Sequence, residues 1–380
     1  MLIIGTDIRI QLHNGRPTPT HPSLTSSSIE RLSALGGSTP ILVARKERTH
    51  SRTDIPPLDL LDQQIWFIDS EGGPKPVRIL RAIVGAWKTP VTKNDTVYVR
   101  LPETIGIALG LKAAVRRATL VPHIVAFPDA LIGESRGLIP KLLKAATSFI
   151  ISKSALTLYV TQHTLQDIFP PGNSPTHVLS NVQLTAENFI DEAKTINESG
   201  LNLITIGSLN GTGKGMDTTI RALDRLRAKG INAKLDVVGT GSSMNQLLAL
   251  TKSLSLGDHV TFTGQLAPST VRERIDSSDI FILSSRSEGL PRSMIEAMAR
   301  GVVCLGTEVG GIPELLDPEQ LFPPGDYESL CAKIEALYAS PSLALNVAQL
   351  QLDRARQFEW GLSIEKLRHA YREAVTTIRK

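Results

Sequence analysis

In the second half of the chain, short apolar runs alternate with longer stretches whose apolar residues recur at helical spacing. The pattern predicts strands at Leu201–Gly207, Lys234–Val238, Val260–Thr263, Ile280–Leu283 and Val302–Leu305. It predicts helices at Met216–Ala228, near Met244–Leu254 and Ser269–Ile275, and one opening at Pro291. Ile220, Leu223 and Leu226 set the period of the first helix, and Gly230 stands where a left-handed residue would end it. The runs LDVVG and IFILSS are apolar on both faces, as strands inside a parallel sheet are. Strand and helix in turn imply βαβ units.

The first half alternates less cleanly. Strands are predicted at Leu2–Ile8, Pro40–Ala44, Ile65–Ile68, Thr96–Val99, His123–Phe127 and Leu156–Val160, and helices at Leu24–Ala34, Ile105–Arg117 and Leu138–Ser152. Arg16–Ser28 and Thr53–Leu58 read as loops from their Pro, Ser and Thr content. No repeat of fixed period is visible. The turn cluster Pro170–Pro175 and the polar stretch Glu192–Gly200 divide the chain. The expected layout is a domain over 1–180, a linker over 181–199, a domain over 200–355 and a terminal helical segment over 356–380 that packs back.

Composition narrows the function classes. At about 150 residues per domain, 380 residues make two domains. Charged residues at 21% exclude a disordered polyampholyte, and aromatics at 4% are poor material for base stacking. Net charge is +4, but residues 1–180 hold 20 Lys/Arg against 13 Asp/Glu. That excess suits an anionic lipid surface or a polyanionic substrate, or simply a soluble surface. A cluster of basic and aromatic residues fit for nucleic acid is missing from the pattern, so no nucleic-acid partner is expected. Cys304 and Cys331 have no metal-ligand spacing and read as buried thiols in a reducing compartment. The opening apolar run is too short for a signal peptide, and no stretch reaches 18 apolar residues. A cytoplasmic location follows as an expectation. Lys141, Lys144 and Lys153 interrupt an apolar helical stretch, as in an interfacial helix or in one packed on its own sheet.

Four turns carry the candidate chemistry. The first is Gly207-Ser208-Leu209-Asn210-Gly211-Thr212-Gly213-Lys214-Gly215, a glycine-rich strand-to-helix turn ending in a lysine. Glycines let backbone approach a phosphate and Lys214 supplies a point charge, but Gly215 in place of Ser or Thr excludes a P-loop. The second runs from Ser285 to Gly301 and contains Glu288, Gly289, Leu290, Pro291 and Glu296. Pro291 suits the first helical position, where the turn's N–H groups and the helix dipole make an anion site. Glu288 and Glu296 flank that turn; carboxylates suit sugar and ribose hydroxyls, or else a helix cap and a surface ion pair. The third turn is Val238-Gly239-Thr240-Gly241 and the fourth is Glu308–Glu314. All four follow predicted strands, where open α/β sheets bind ligands.

The order and spacing of GSLNGTGKGMD, VVGTG, VTFTGQL, SEGLPRSMIEAMARG and TEVGGIPELL resemble the donor-binding domain of family-4 retaining glycosyltransferases. The wording of EGLPRSMIEAMARG is most similar to the bacterial exopolysaccharide and cell-envelope glycan subgroup. The resemblance implies the α/β GT-B fold: two Rossmann-like parallel-sheet domains facing across a cleft, with C-terminal helices crossing back. It implies a nucleotide diphosphate sugar as donor substrate, with no further cofactor, and a glycan or lipid-linked acceptor. It implies that Lys214 holds the donor diphosphate with Ser208 beside it, and that Glu288 contacts the donor sugar near backbone Gly289 and Leu290. Glu296 would hold the ribose hydroxyls, and Gly239 and Gly241 would flank the nucleotide.

Two departures accompany the resemblance. Ser208 stands where many members have an arginine, which Arg286 or Arg292 would have to replace. Many members also place a histidine after a central strand of the first domain; here His123 is expected to begin its strand, and Asp129 is the better-placed candidate catalytic carboxylate. Arg100 is an acceptor-contact candidate or a structural ion pair, and Asn14-Gly15 is the short counterpart of an acceptor loop. With no Asp-x-Asp motif, no metal is expected. The expected reaction is retaining glycosyl transfer on the cytoplasmic side, including the inner membrane face as a peripheral site. The alternatives are a non-catalytic nucleotide-sugar-binding subunit and a GT-B nucleotide-sugar 2-epimerase.

Overall fold

A computed structural model describes residues 1–13, 15–20, 24–33, 35–36, 40–47, 55–126, 138–182, 184–197 and 199–378. The chain divides into two compact units, Met1–Asn181 with Gly361–Lys380 and Val182–Trp360.

The first unit is built on a sheet of β1 (Leu2–His13), β2 (Arg16–Pro19), β3 (Pro40–Lys46), β4 (Ile65–Ile68), β5 (Thr96–Leu101), β6 (Thr119–Ile124), β7 (Thr157–Tyr159) and β8 (Thr176–Val178). The order is β4-β3-β1-β5-β6-β7-β8, all parallel, and β2 adds to β1 antiparallel. The stretch expected as a loop from Arg16 thus opens with a strand. Its prolines, Pro17 and Pro19, lack an N–H and are tolerated because β2 has one partner only. Strand β6 begins four residues before its expected start, and His123 is its penultimate residue. Pro122 obscures the strand in the sequence; it is accommodated because pairing with β7 begins only at His123.

The helix Lys75–Lys88 is absent from the sequence expectations. It buries only Ala82 and Ala86 and turns its large apolar residues outward, so its pattern does not mark a core-facing helix. The helix Thr104–Arg116 packs between it and the helix Leu138–Ser152. The last helix, Trp360–Ile378, belongs to this unit from Gly361 on: Leu367 and Ala374 are fully buried beside Leu2, Ile4 and Leu42, and the Tyr371 hydroxyl lies 2.9 Å from that of Thr96.

The second unit has six parallel strands: β9 (Leu201–Ile206), β10 (Ala233–Val238), β11 (Val260–Gly264), β12 (Ile280–Leu283), β13 (Val303–Thr307) and β14 (Leu321–Phe322). Their order is β11-β10-β9-β12-β13-β14. Strands β12 and β13 are buried along their whole length, which accounts for their two-sided apolar sequence. Residues 182–197, expected as linker, are tied to this unit. Val182 and Leu184 enter its core, Ile190 N–H donates to the Ala299 carbonyl, and Lys194 N–H donates to that of Gly301. The polar composition of this stretch hid the few apolar anchors that fasten it.

Candidate functional site

In the second sheet the chain order reverses between β9 and β12, the place where open α/β sheets bind ligands. The first glycine-rich turn follows β9 and the Ser285–Pro291 turn follows β12, so sheet topology brings residues 74 positions apart into contact. The Lys214 ammonium and the Glu288 carboxylate form a charge-assisted hydrogen bond through Oε1. The same oxygen accepts from Ser285 Oγ at 2.6 Å. Glu288 is 9% exposed, so its charge is largely withdrawn from water and compensated by Lys214. It does not cap the following helix.

Backbone contacts fix this arrangement. Gly215 has φ +61° and a Cβ there would collide with the Ser284 carbonyl; Gly310 has φ +56° and a Cβ there would collide with that of Glu288. Only glycine meets both demands at each position. Gly311 N–H donates to the Gly289 carbonyl at 2.8 Å, which couples the fourth turn to the second. Gly239 and Gly241 press on the backbone of the first turn, and Leu209 N–H donates to the Thr240 carbonyl at 2.9 Å. Ser208 is exposed, its hydroxyl accepting from Asn210 N–H at 3.3 Å. Behind the turn lies a cavity of about 140 Å³ lined by Ser208, Leu209, Lys214, Gln246 and Leu247.

The helix Arg292–Ala299 starts beyond Pro291, which takes the N-cap rather than the expected first helical position, with φ −75° and ψ 111°. Pro291 has no side-chain acceptor to offer the first turn. The dipole of this helix gives its N-terminus partial positive charge. Glu296, one turn in, is half-buried, with its carboxylate in electrostatic reach of Arg292 and Arg272. Burial raises its carboxyl pKa, against the opposing pull of Arg292 and Arg272. Leu290 is half-buried between Glu288 and this helix.

Arg286 is not a stand-in for the missing arginine. It pairs with Asp217 at 3.0 Å, bonds the Thr212 carbonyl, and its N–H donates to the Gly213 carbonyl at 2.7 Å. It braces the turn that carries Lys214. Sequence reasoning missed this brace and the Ser285 bond; the Ser-x-x-Glu spacing was the available signal for the second.

In the first unit the topology also reverses between β1 and β5. The Asp7 carboxylate accepts from Thr104 N–H at 2.9 Å and Ile105 N–H at 3.0 Å, at the start of the helix Thr104–Arg116. Glu103 reciprocates, its Oε2 accepting from Asp7 N–H at 2.7 Å. Arg45 lies 3.2 Å from Asp7, and Arg100 lies 2.9 Å from Glu103. Arg100 thus stands in a structural ion pair. Burial raises the Glu103 pKa, with Arg100 opposing and Asp7 adding to the rise. His123 is fully buried between the Tyr98 hydroxyl at 2.6 Å and the Leu179 carbonyl at 2.9 Å. Burial, then Arg100 and Arg31, drive its pKa well below the usual imidazole value, so it is a neutral structural residue. Asp129 and Asn14 lie outside the described residues, and Gly15 forms the β1–β2 turn with φ +73°.

Comparison with known proteins follows the same division. The family model described as "Glycosyl transferases group 1" matches residues 187–350. Protein CapJ of Staphylococcus aureus is 27% identical over 69% of this chain and 68% of its own length. The N-acetyl-alpha-D-glucosaminyl L-malate synthase of Bacillus anthracis is 34% identical, over 35% of this chain and 37% of the synthase. The chain therefore matches only about a third of that relative's length. The structure of sucrose-phosphate synthase from Thermosynechococcus elongatus superposes with a TM-score of 0.71 at 13% identity, covering 99% of each chain. Residues 187–350, built on the switch point of the second sheet, thus match a group 1 glycosyltransferase domain, and the two Rossmann-like parallel-sheet domains of the chain share the fold of its GT-B neighbours.

Proposed function

We propose that the protein transfers a glycosyl group from a nucleotide diphosphate sugar to an acceptor hydroxyl, with retention at the anomeric carbon, in polysaccharide or glycolipid synthesis. The observation that carries this reading is the Lys214–Glu288 pair at the β9/β12 switch point, in the turn that leads into the helix Arg292–Ala299. A dianionic diphosphate arriving there exchanges Glu288 for phosphate as the partner of Lys214. Glu288, still held by Ser285, then faces the sugar hydroxyls that a carboxylate can accept from. Glu296 takes the ribose hydroxyls.

Charge develops on the leaving diphosphate as the glycosidic bond breaks. Lys214 and the first-turn N–H groups of the helix Arg292–Ala299 stabilise that charge without reorganisation at the moment of reaction. In the front-face course implied by the family resemblance, the departing diphosphate accepts the acceptor's proton while the acceptor oxygen bonds the anomeric carbon on the same face. Asp129 remains the candidate acceptor-side carboxylate.

The test is thermal shift and slow donor hydrolysis across a panel of nucleotide diphosphate sugars, for wild type, Lys214→Ala and Glu288→Ala. The expected result is stabilisation and turnover of one donor, both lost in the two variants. A donor that binds without turnover, even with cell-envelope lipid extract, supports a binding subunit instead. Release of a 2-epimerised sugar supports an epimerase. No binding by wild type overturns the donor-site assignment.

A further inference from the structure

We propose that the outer face of the helices Lys75–Lys88, Thr104–Arg116 and Leu138–Ser152 is a docking surface for an anionic lipid bilayer. The three helices lie side by side in the first unit, with Thr104–Arg116 in the middle. The surface belongs to the first unit, and the donor site proposed above to the second.

The first observation is an inverted helix. Lys75–Lys88 lays its small residues, Ala82, Gly85 and Ala86, against the protein; a Cβ on Gly85 would collide with Ile68. Its large apolar residues point outward, with Leu80 60% and Trp87 47% exposed. The orientation is fixed: buried Lys112 of the middle helix donates to the carbonyls of Trp87 and Thr89. The helix on the other side of the middle one repeats the pattern, with Ile139, Leu142 and Phe149 exposed, and the middle helix exposes Val115. Exposed apolar residues carried by three side-by-side helices mark an interaction surface rather than scattered surface hydrophobes.

The second observation is charge. The three helices contain eight basic residues and no acidic one. Lys75, Arg81 and Lys88 are exposed on the first helix, and Lys141 and Lys144 on the third. A face that is both apolar and uniformly positive matches a bilayer of anionic headgroups over hydrocarbon, with Trp87 suited to the headgroup level. A second copy is a poor occupant, because a two-fold contact would oppose like charges without an acidic residue to relieve them.

The test is co-sedimentation of the full chain with vesicles of phosphatidylcholine alone and of phosphatidylcholine with phosphatidylglycerol. Wild type is expected to pellet with the anionic vesicles only, and less as salt is raised. The doubles Leu80→Ser/Trp87→Ser and Arg81→Glu/Lys141→Glu are each expected to lower partitioning at least about tenfold. Their unfolding midpoints should stay near wild type, since all four side chains are exposed. Three results overturn the proposal: no pelleting of wild type with anionic vesicles, equal pelleting with both vesicles, or pelleting unchanged in both doubles. A concentration-dependent dimer in light scattering, broken by Leu80→Ser/Trp87→Ser and unaffected by vesicles, assigns the face to self-association.

Discussion

Both sheets place their first six parallel strands in the same relative order, and in both a helix begins after the fourth strand at the switch point. The first strands differ beside that helix. In the first unit β1 carries Asp7 within its length, two residues past its last pairing with β5, and the Asp7 carboxylate fills the N-terminus of the helix Thr104–Arg116 through two backbone N–H groups. In the second unit β9 leads into a glycine-rich turn that holds Lys214, and the corresponding helix Arg292–Ala299 begins at Pro291, which has no side-chain acceptor. One site sets a carboxylate on its helix N-terminus; the other sets a lysine, paired with Glu288, beside it. In the proposed reading, the same topology becomes a phosphate site only where the first turn supplies a cation beside the helix N-terminus.

The strongest way to break this contrast is to remove the cation. Lys214→Ala should lower kcat by about 10²–10³-fold, as loss of one preorganised charge partner does, read by initial rates with the identified donor. Next is the backbone lock. Gly310→Ala forces a Cβ into the Glu288 carbonyl at φ +56° and should cost about 2–4 kcal/mol of stability, together with donor binding, in denaturant unfolding and thermal shift.

Emptying the other site sharpens the contrast. Asp7→Ala leaves two helix N–H groups without their acceptor and should destabilise by about 1–3 kcal/mol. Added sulfate should recover part of that loss in the variant and not in wild type, by filling the vacated N-terminus. The smallest effect is the pH dependence of Glu103. Its folded pKa lies above the unfolded value, so its contribution is complete below the unfolded pKa and is lost as pH rises through the folded one. In Glu103→Gln that decline is absent, so the variant's midpoint should gain on wild type as pH rises past the ordinary carboxylate range.

The second unit was the more legible in sequence because each of its turns carries a local motif, although the Lys214–Glu288 pair itself spans 74 residues. Gly215 and Gly310 are glycines since backbone passes close to them, and Lys214, Glu288 and Glu296 stand at fixed spacing from those turns. The first unit's site is made of long-range pairs. Asp7 and Glu103 are 96 residues apart, and Tyr98 and His123 meet only through the β5–β6 pairing. Nothing in the local pattern of either residue announces its partner. Pro122 concealed the start of β6, and the outward-facing Leu80 and Trp87 concealed the helix Lys75–Lys88, because both break the rules by which strands and buried helices are recognised.

The central claim is that the donor diphosphate binds at the β9/β12 switch point and not at β1/β5. Calorimetric titration of nucleoside diphosphates into wild type, Lys214→Ala and Asp7→Asn tests it directly. The account predicts affinity reduced at least about tenfold in Lys214→Ala, the loss of one charge-assisted contact, and unchanged in Asp7→Asn. Unchanged affinity in Lys214→Ala, or a loss confined to Asp7→Asn, would contradict it.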